Sequence, residues 1–219
     1  MHSVNQNVAV LTTDIVHSTK MSPTEYASVM KALQSLLESQ KQRYKCKFEI
    51  FRGDSFQILY PDRSTAMHSA LSIRLYLQSG IDCPATKLTQ SLALGNVEKL
   101  SNTLGSSIGE AFIVSGRSLD KASRGDLIVN FPEKLQDNGT SMDMTLSTLF
   151  LRKLLDGLTE KQSEVLFYYV DLNCPEQQSI ADIMKMTRQN VATHLKRSGG
   201  DLLKSYLEAY QKLCLGQTA

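Results

Sequence analysis

The chain of 219 residues contains no tryptophan and only four cysteines, at positions 46, 83, 174 and 214. No two cysteines form a CxxC pair and no histidine lies at metal-ligand spacing from one, which argues against a disulfide framework and a zinc site. No stretch approaches the roughly 18 apolar residues of a membrane span, and the N-terminus lacks a basic region followed by a long apolar segment. We therefore expect a cytoplasmic protein with reduced thiols and no membrane partner.

Common signatures of catalysis and nucleotide binding are also missing. The sequence has no GxGxxG after a strand-like run and no GK[ST] phosphate-binding loop, and we expect no GxSxG nucleophile elbow. The four histidines are dispersed along the chain. The net charge of +2 does not decide the partner, because a DNA-binding protein needs only a local basic face.

Hydrophobic periodicity changes at Pro132. Residues 8–131 alternate strand-like and helix-like runs in the order strand, helix, hairpin, helix, strand, helix, strand. This order predicts an α+β sandwich with helices packed on one face of a mostly antiparallel sheet. Residues 133–141 are polar and turn-rich, and the chain beyond them has helical periodicity. We place one domain at 1–132 and a small all-α domain at 142–219.

Two acidic residues of the first domain fall at notable places, one at the end of a strand-like run and one at a predicted hairpin tip. The β-branched run 8–15 predicts a buried strand that brings Asp14 to its C-terminal edge. The runs 48–51 and 56–60 flank the sequence RGDS, which predicts a hairpin with Gly53 and Asp54 at the tip. Asp14 could instead cap a turn, and Asp54 could serve the tight hairpin alone.

Three segments of this domain resemble class III adenylate and guanylate cyclases. TTDIVHST, residues 12–19, is similar to their DIVGST segment, and FEIFRGDSFQ, residues 48–57, to the motif that places a glycine and an aspartate on a β-hairpin. GEAFIVSGR, residues 109–117, resembles a later segment that acts on the nucleotide. The resemblance covers residues 8–131 and implies a ferredoxin-like, cyclase-type sandwich that forms its site between two chains. Together with the helical second domain, these motifs resemble the SatD-type family of small bacterial proteins.

The resemblance assigns roles to three residues. It implies that Asp14 and Asp54 bind a metal ion, Mg²⁺ or Mn²⁺, in company with triphosphate oxygens. It implies that Arg117 stabilises charge on the transferred phosphate, although Arg117 could equally be a surface cation. Arg52 is a further cation beside the acids, and it could replace the metal ion by a salt bridge.

Other positions depart from the cyclase pattern. His17 replaces a glycine whose backbone approaches the triphosphate, and Ile50 takes the base-selecting position. Ser106 falls at a second base-reading position, and Ile113 replaces the asparagine that holds the ribose. Since groups that position a substrate are lost, we expect an inactive cyclase-like domain that assembles a homodimer or senses a nucleotide.

The second domain contains a segment at helix-turn-helix spacing, SIADIMKMTRQNVATHLKR, residues 179–197. Ile180, Met184 and Val191 fall on the apolar positions, and Thr187 is a good N-cap for the second helix. The preceding run 158–170 resembles the support helix of sigma-region-4 and LuxR-type DNA-binding domains. Two residues are unusual for the motif, since Lys185 occupies the turn position of a glycine and His194 a late apolar position.

The second helix of this segment carries side chains that suit DNA. No acid lies between residues 185 and 197, and polar or basic side chains of the kinds that reach base edges and phosphates recur there. The predicted DNA-binding residues are Lys185, Thr187, Arg188, Gln189, Asn190, Thr193, Lys196 and Arg197. A homodimer would present two such helices to two half-sites.

These observations support three functional hypotheses. The first is a DNA-binding transcriptional regulator with a degenerate cyclase-like dimerisation or nucleotide-sensing domain. The alternative is a metal-dependent nucleotidyl cyclase or a related phosphoryl-transfer enzyme. In a third interpretation the helical domain binds another protein and its basic helix is merely solvated.

Overall fold

The computed structural model describes residues 6–51, 53–132 and 140–216. The first part of the chain follows the predicted order of strands and helices, and the second part is helical. None of the helices in the described ranges is long and apolar enough to cross a bilayer. The elements are β1 (Gln6–Ile15), α1 (Pro23–Tyr44), β2 (Lys47–Phe51), β3 (Ser55–Tyr60), α2 (Ala66–Ser79), β4 (Leu88–Val97), α3 (Glu110–Lys121), β5 (Leu127–Asn130), α4 (Thr140–Asp156), α5 (Glu160–Asp171), α6 (Gln177–Met184), α7 (Arg188–Arg197) and α8 (Gly200–Leu215).

The five strands form one sheet in the order β2-β3-β1-β4-β5. All neighbouring pairs are antiparallel except β4 and β5, which are parallel and are joined through α3. The central strand β1 pairs along its length with β4. The prediction of a mixed α+β fold with a mostly antiparallel sheet is confirmed.

The two faces of the sheet carry different helices. Because side chains alternate along a strand, Ala9 and Leu11 face the side covered by α1 and α2, while Val8 and Val10 face α3. Helix α3 buries Ala111 against the second pair. The prediction that all helices lie on one face of the sheet was therefore wrong. An apolar stripe shows that a helix packs against the sheet, but it does not show against which face.

Helix α2 is buried on nearly every side. Thirteen of its fourteen residues are buried, and His68 is the exception. The sheet covers one side of α2 and α5 packs against another, so apolar residues of both parts of the chain belong to one continuous cluster. The boundary proposed between residues 132 and 142 falls mostly on 133–139, which lie outside the described residues.

Polar contacts also fix the helical part to the sheet part. The Asp171 carboxylate at the end of α5 accepts a hydrogen bond of 2.8 Å from Ser72 Oγ and forms an ion pair of 3.2 Å with Arg43. At the other end, the Arg63 guanidinium donates to the Cys214 carbonyl at 2.8 and 3.1 Å. Helices α5 and α8 are thus tied to helices and turns that support the sheet.

Candidate functional site

Polar side chains line one end of the sheet face that carries α3. Thr12 and Asp14 continue the face of Val10, beyond the apolar residues that α3 covers. The Gln57 amide donates to Thr12 Oγ1 at 3.0 Å, and Thr12 Oγ1 lies 2.9 Å from Ser115 Oγ of α3. The polar end of this face is therefore preorganised by hydrogen bonds between strands and helix.

The two aspartates lie at this end, Asp14 on β1 and Asp54 in the turn that precedes β3. Asp14 is opposite Ser55 in the β1–β3 register, and the Ile15 amide donates to the Asp54 carbonyl at 2.9 Å. Ser55 Oγ donates to Asp14 Oδ1 at 2.6 Å, and Ser18 Oγ donates to Asp54 Oδ2 at 2.7 Å. Both carboxylates are half-buried. Each has one oxygen held by a serine and a second oxygen for which the described residues provide no hydrogen-bond donor.

The turn before Asp54 requires glycine. Gly53 has φ +81°, and a Cβ there would lie 2.6 Å from Tyr26 Oη. The same hydroxyl donates to the Gly53 carbonyl at 2.6 Å, which ties the turn to α1. Arg52, the cation expected beside the acids, lies outside the described residues.

The ligands present suit a metal ion that is shared with a substrate. Within the described residues no group of three or more His, Cys, Asp or Glu side chains could enclose a metal. Mg²⁺ is usually held by one or two carboxylates together with phosphate oxygens and water, and Asp14 and Asp54 fit that pattern. Burial raises the pKa of Cys46 and of Cys214 to about 11.

A cavity of about 620 Å³ opens beside the turn that follows Asp14. Its lining includes one acid, Glu25, together with His17 and three exposed cations, Lys20, Lys87 and Arg124. None of these three cations forms an ion pair with a described residue. The cavity therefore offers positive charge beside the turn that follows Asp14, while neither Asp14 nor Asp54 lines it.

His17 preserves the backbone of the glycine that it replaces. Its φ is +61°, in the left-handed region that glycine enters without steric cost. Its side chain is exposed and borders the cavity. The turn is thus retained, and the imidazole is added to the cationic lining.

Arg117 does not join the carboxylates within one chain. On α3 the residues Ser115 and Leu119 face the sheet, whereas Arg117 and Ile113 are exposed on the outer side. Within one chain Arg117 forms no ion pair with Asp14 or Asp54.

Strand β2 places Glu49 on the same face of the sheet as Asp14, and the comparison with cyclase motifs did not identify this acid. Ile50 is opposite Phe56 and packs against the main core, so it cannot read a base. Glu49 is opposite Gln57, on the face of Asp14, and its carboxylate accepts amide hydrogen bonds from Leu104 at 2.6 Å and Gly105 at 3.1 Å. Strand alternation was the signal that could have found it. The Glu49 carboxylate is thus already hydrogen-bonded to the backbone of its own chain.

The loop 105–109 has the sequence of a hydrolase motif but not its geometry. Residues 105–109 read GSSIG, which fits GxSxG. Ser107 is extended after a short 3-10 turn, and its hydroxyl donates to the Thr103 carbonyl at 3.0 Å. Ser106 Oγ lies 2.6 Å from Thr103 Oγ1 and is likewise engaged within the loop. A nucleophile elbow needs a sharp strand-to-helix turn, which is not the conformation here.

The helical part contains a three-residue turn between α6 and α7. Lys185 ends α6 with φ +52°, the conformation usual for a glycine at this turn. Thr187 caps α7, since its hydroxyl accepts a hydrogen bond from the Asn190 amide at 3.2 Å. Val191 and Leu195 bury the inner side of α7 against its helical neighbours.

The outer side of α7 is exposed. All eight residues predicted to contact DNA are exposed: Lys185, Thr187, Arg188, Gln189, Asn190, Thr193, Lys196 and Arg197. The four cations among them form no ion pair with any described residue. Along one flank, Glu176 and Asp201 share with Arg188 and Lys196 the lining of a cavity of about 920 Å³.

Comparison with known proteins gives similarities of fold alone. No model of a known protein family matches the sequence, and no curated protein matches it. Among solved structures, the adenylyl cyclase CyaB from P. aeruginosa aligns with 59% of this chain and 79% of its own at 12% identity and a TM-score of 0.48. A bacterial light-regulated adenylyl cyclase aligns with 61% and 80% at 16% identity and a TM-score of 0.48. The guanylyl cyclase domain of the RhoGC fusion protein from the aquatic fungus Blastocladiella emersonii aligns with 59% and 82% at 18% identity and a TM-score of 0.47. All three TM-scores lie below 0.5.

Proposed function

We propose that the sheet part of the protein binds a nucleoside triphosphate together with Mg²⁺ or Mn²⁺. The observation that carries the proposal is the carboxylate pair, Asp14 on β1 and Asp54 in the turn before the neighbouring strand β3, each held by one serine hydroxyl. Their remaining oxygens are the hard ligands that these ions prefer. When bound, such an ion neutralises phosphate charge and activates an attacking hydroxyl.

Cationic side chains around the turn that follows Asp14 support a phosphate ligand. Lys20, Lys87 and Arg124 approach the adjacent cavity from three different segments. Since each lacks an acidic partner among the described residues, their charge is available to phosphate oxygens. Ionised donors make the stronger hydrogen bonds to phosphate.

Catalysis at this site would require two chains. Arg117 is exposed on the outer side of α3, so a homodimer would have to supply it to the partner's carboxylate pair. With the half-buried Ile50 packed against the core and Ile113 at the ribose position, one chain lacks the side chains that position base and ribose. We therefore propose nucleotide binding as the primary activity, and a cyclase or related phosphoryl-transfer reaction only for a dimer that supplies Arg117.

Calorimetry with ATP and GTP, each with Mg²⁺ or Mn²⁺, tests the proposal. We expect metal-dependent binding that Asp14→Asn and Asp54→Asn each abolish, because both ligands of the ion are needed. The matched control Asp182→Asn, on the exposed surface of α6, should bind as the unchanged chain does. No heat of binding with either nucleotide would refute the proposal.

A second function, binding of duplex DNA by α7, is favoured by a separate observation. The side chains suited to bases and phosphates all lie on the exposed side of α7, while its apolar residues are buried. A helix that presents Arg, Gln and Asn near its N-terminus suits the major groove. In this proposal the protein is a transcriptional regulator that binds DNA as a homodimer and senses nucleotide through the carboxylate pair.

A further inference from the structure

Helix α4 is apolar on two opposite sides. Its inner side, with Met144, Leu151 and Leu155, is buried in the core. Its outer side also carries apolar residues, and Leu146 and Phe150 remain 55% and 70% exposed. A helix that is hydrophobic on both sides is normally covered on both. Nothing in the described residues covers the outer side.

The exposed residues of α4 form a continuous stripe. Asp143, Leu146, Phe150 and Lys153 recur at intervals of three and four residues, with Leu149 beside them. This spacing is the seam by which two helices pack side by side. We call these five residues the α4 stripe.

An apolar groove adjoins the α4 stripe. A cavity of about 480 Å³ between α4 and α8 is lined by Phe150, Leu154 and Leu202 among others. Leu202 is itself 68% exposed. The stripe and the groove together form an apolar surface of the kind that marks an interaction site.

The charges of the stripe indicate what covers it. Asp143 lies at one end and Lys153 at the other, equally far in sequence from residue 148, and neither forms an ion pair with a described residue. Leu146 and Phe150 are likewise symmetric about residue 148. In an antiparallel pair of α4 helices, each Asp143 meets the other copy's lysine and each Leu146 meets the other copy's phenylalanine. A parallel pair would oppose like charges.

We infer that a second copy of this chain docks on the α4 stripe, with the two α4 helices antiparallel about a two-fold axis at the level of residue 148 along the helix, on the side opposite to its buried side chain. This interface is isologous, so it closes as a dimer. It is distinct from the α3 surface that would bring Arg117 to a partner, and it does not depend on either proposed function. It places both copies of α7 in one particle.

Sedimentation velocity of the full chain over a range of concentrations tests the inference. We expect a reversible dimer whose dissociation constant rises at least about tenfold in Phe150→Glu, because a charge replaces the central apolar contact. The matched control Ile183→Glu replaces an isoleucine that is 47% exposed on α6, and it should dimerise as the unchanged chain does. Circular dichroism must show that each variant is folded.

Charge exchange tests the antiparallel arrangement. Asp143→Lys and Lys153→Asp should each weaken the dimer by about three- to tenfold, because each places two like-charged pairs in the interface. The double variant Asp143→Lys/Lys153→Asp restores opposite charges and should dimerise within about twofold of the unchanged chain. A chain that stays monomeric at all concentrations, or a dimer indifferent to Phe150→Glu, overturns the inference. A folded double variant that fails to recover overturns the antiparallel pairing.

Discussion

The hydroxyl of Ser55 donates a hydrogen bond of 2.6 Å to Asp14 Oδ1 across the β1–β3 strand pair. This bond fixes the orientation of the Asp14 carboxylate. Its other oxygen receives no hydrogen bond from a described residue and so remains available to a ligand. The position of Asp14 therefore depends on a serine that belongs to the hairpin of Asp54. The geometry of the site therefore depends on the register between β1 and β3 as well as on the two aspartates.

Ser55→Ala should weaken metal-dependent nucleotide binding by at least about tenfold, since a hydrogen bond to a charged group contributes about 1.5–3 kcal/mol. The carboxylate remains, so binding is reduced without being lost. Isothermal titration calorimetry measures the change. Ser39→Ala, on the exposed side of α1, is the control and should bind normally; equal affinities for both variants would contradict the orienting role.

Gly53→Ala should destabilise the fold by about 1–3 kcal/mol, because the residue has positive φ and the added Cβ would meet Tyr26 Oη at 2.6 Å. Urea unfolding measures the loss. In a Tyr26→Phe background the clashing oxygen is absent, so the same substitution should cost less there. An identical cost in both backgrounds would show that the contact with Tyr26 is irrelevant.

Lys196→Ala/Arg197→Ala should weaken binding to every duplex sequence and reduce the slope of log K against log salt by about two, if each side chain neutralises one phosphate. Fluorescence anisotropy with labelled duplexes at several salt concentrations measures this slope. The charge-matched control Lys31→Ala/Lys41→Ala lies on α1 and should leave the slope unchanged. Absence of binding by the unchanged chain at low salt would remove the DNA proposal.

His68 should make stability depend on pH. Burial, with a smaller contribution from Arg43, lowers the pKa of His68 below its ordinary 6.5, while Asp171 opposes the shift. Its Nε2 atom is buried, and none of the residues that the structure describes provides it with a hydrogen-bond partner. The unfolded chain therefore takes up a proton near pH 6.5 that the folded chain resists, and stability falls as pH is lowered from 6.5 toward the folded pKa. Urea unfolding between pH 7.5 and 5.5 should show a shallower decline for His68→Gln than for the unchanged chain, and parallel curves would contradict this assignment.

Much of the fold follows from local sequence. The order of elements, the hairpin around Gly53 and the Thr187 cap are set by periodicity and turn chemistry, which act within a few residues. The side of the sheet that α3 covers is set by packing between distant segments, which a single helical stripe does not encode. At the candidate site, Asp14 and Asp54 were identified from motif and spacing. Glu49 was missed because site residues were assigned by their position in the cyclase motif. The alternation of side chains along β2 is what decides which residue faces the site.

The burial of α2 between the sheet and α5 has a consequence for the whole molecule. Cutting the chain after residue 132 would remove α5 and expose the outer side of α2 to water. The helical fragment would likewise lose the apolar surface of α2 against which α5 packs. Neither half can melt without uncovering the other. Heat should accordingly unfold the full chain in one cooperative transition, and a ligand that steadies the sheet should raise the melting temperature of the helices that carry α7 as well.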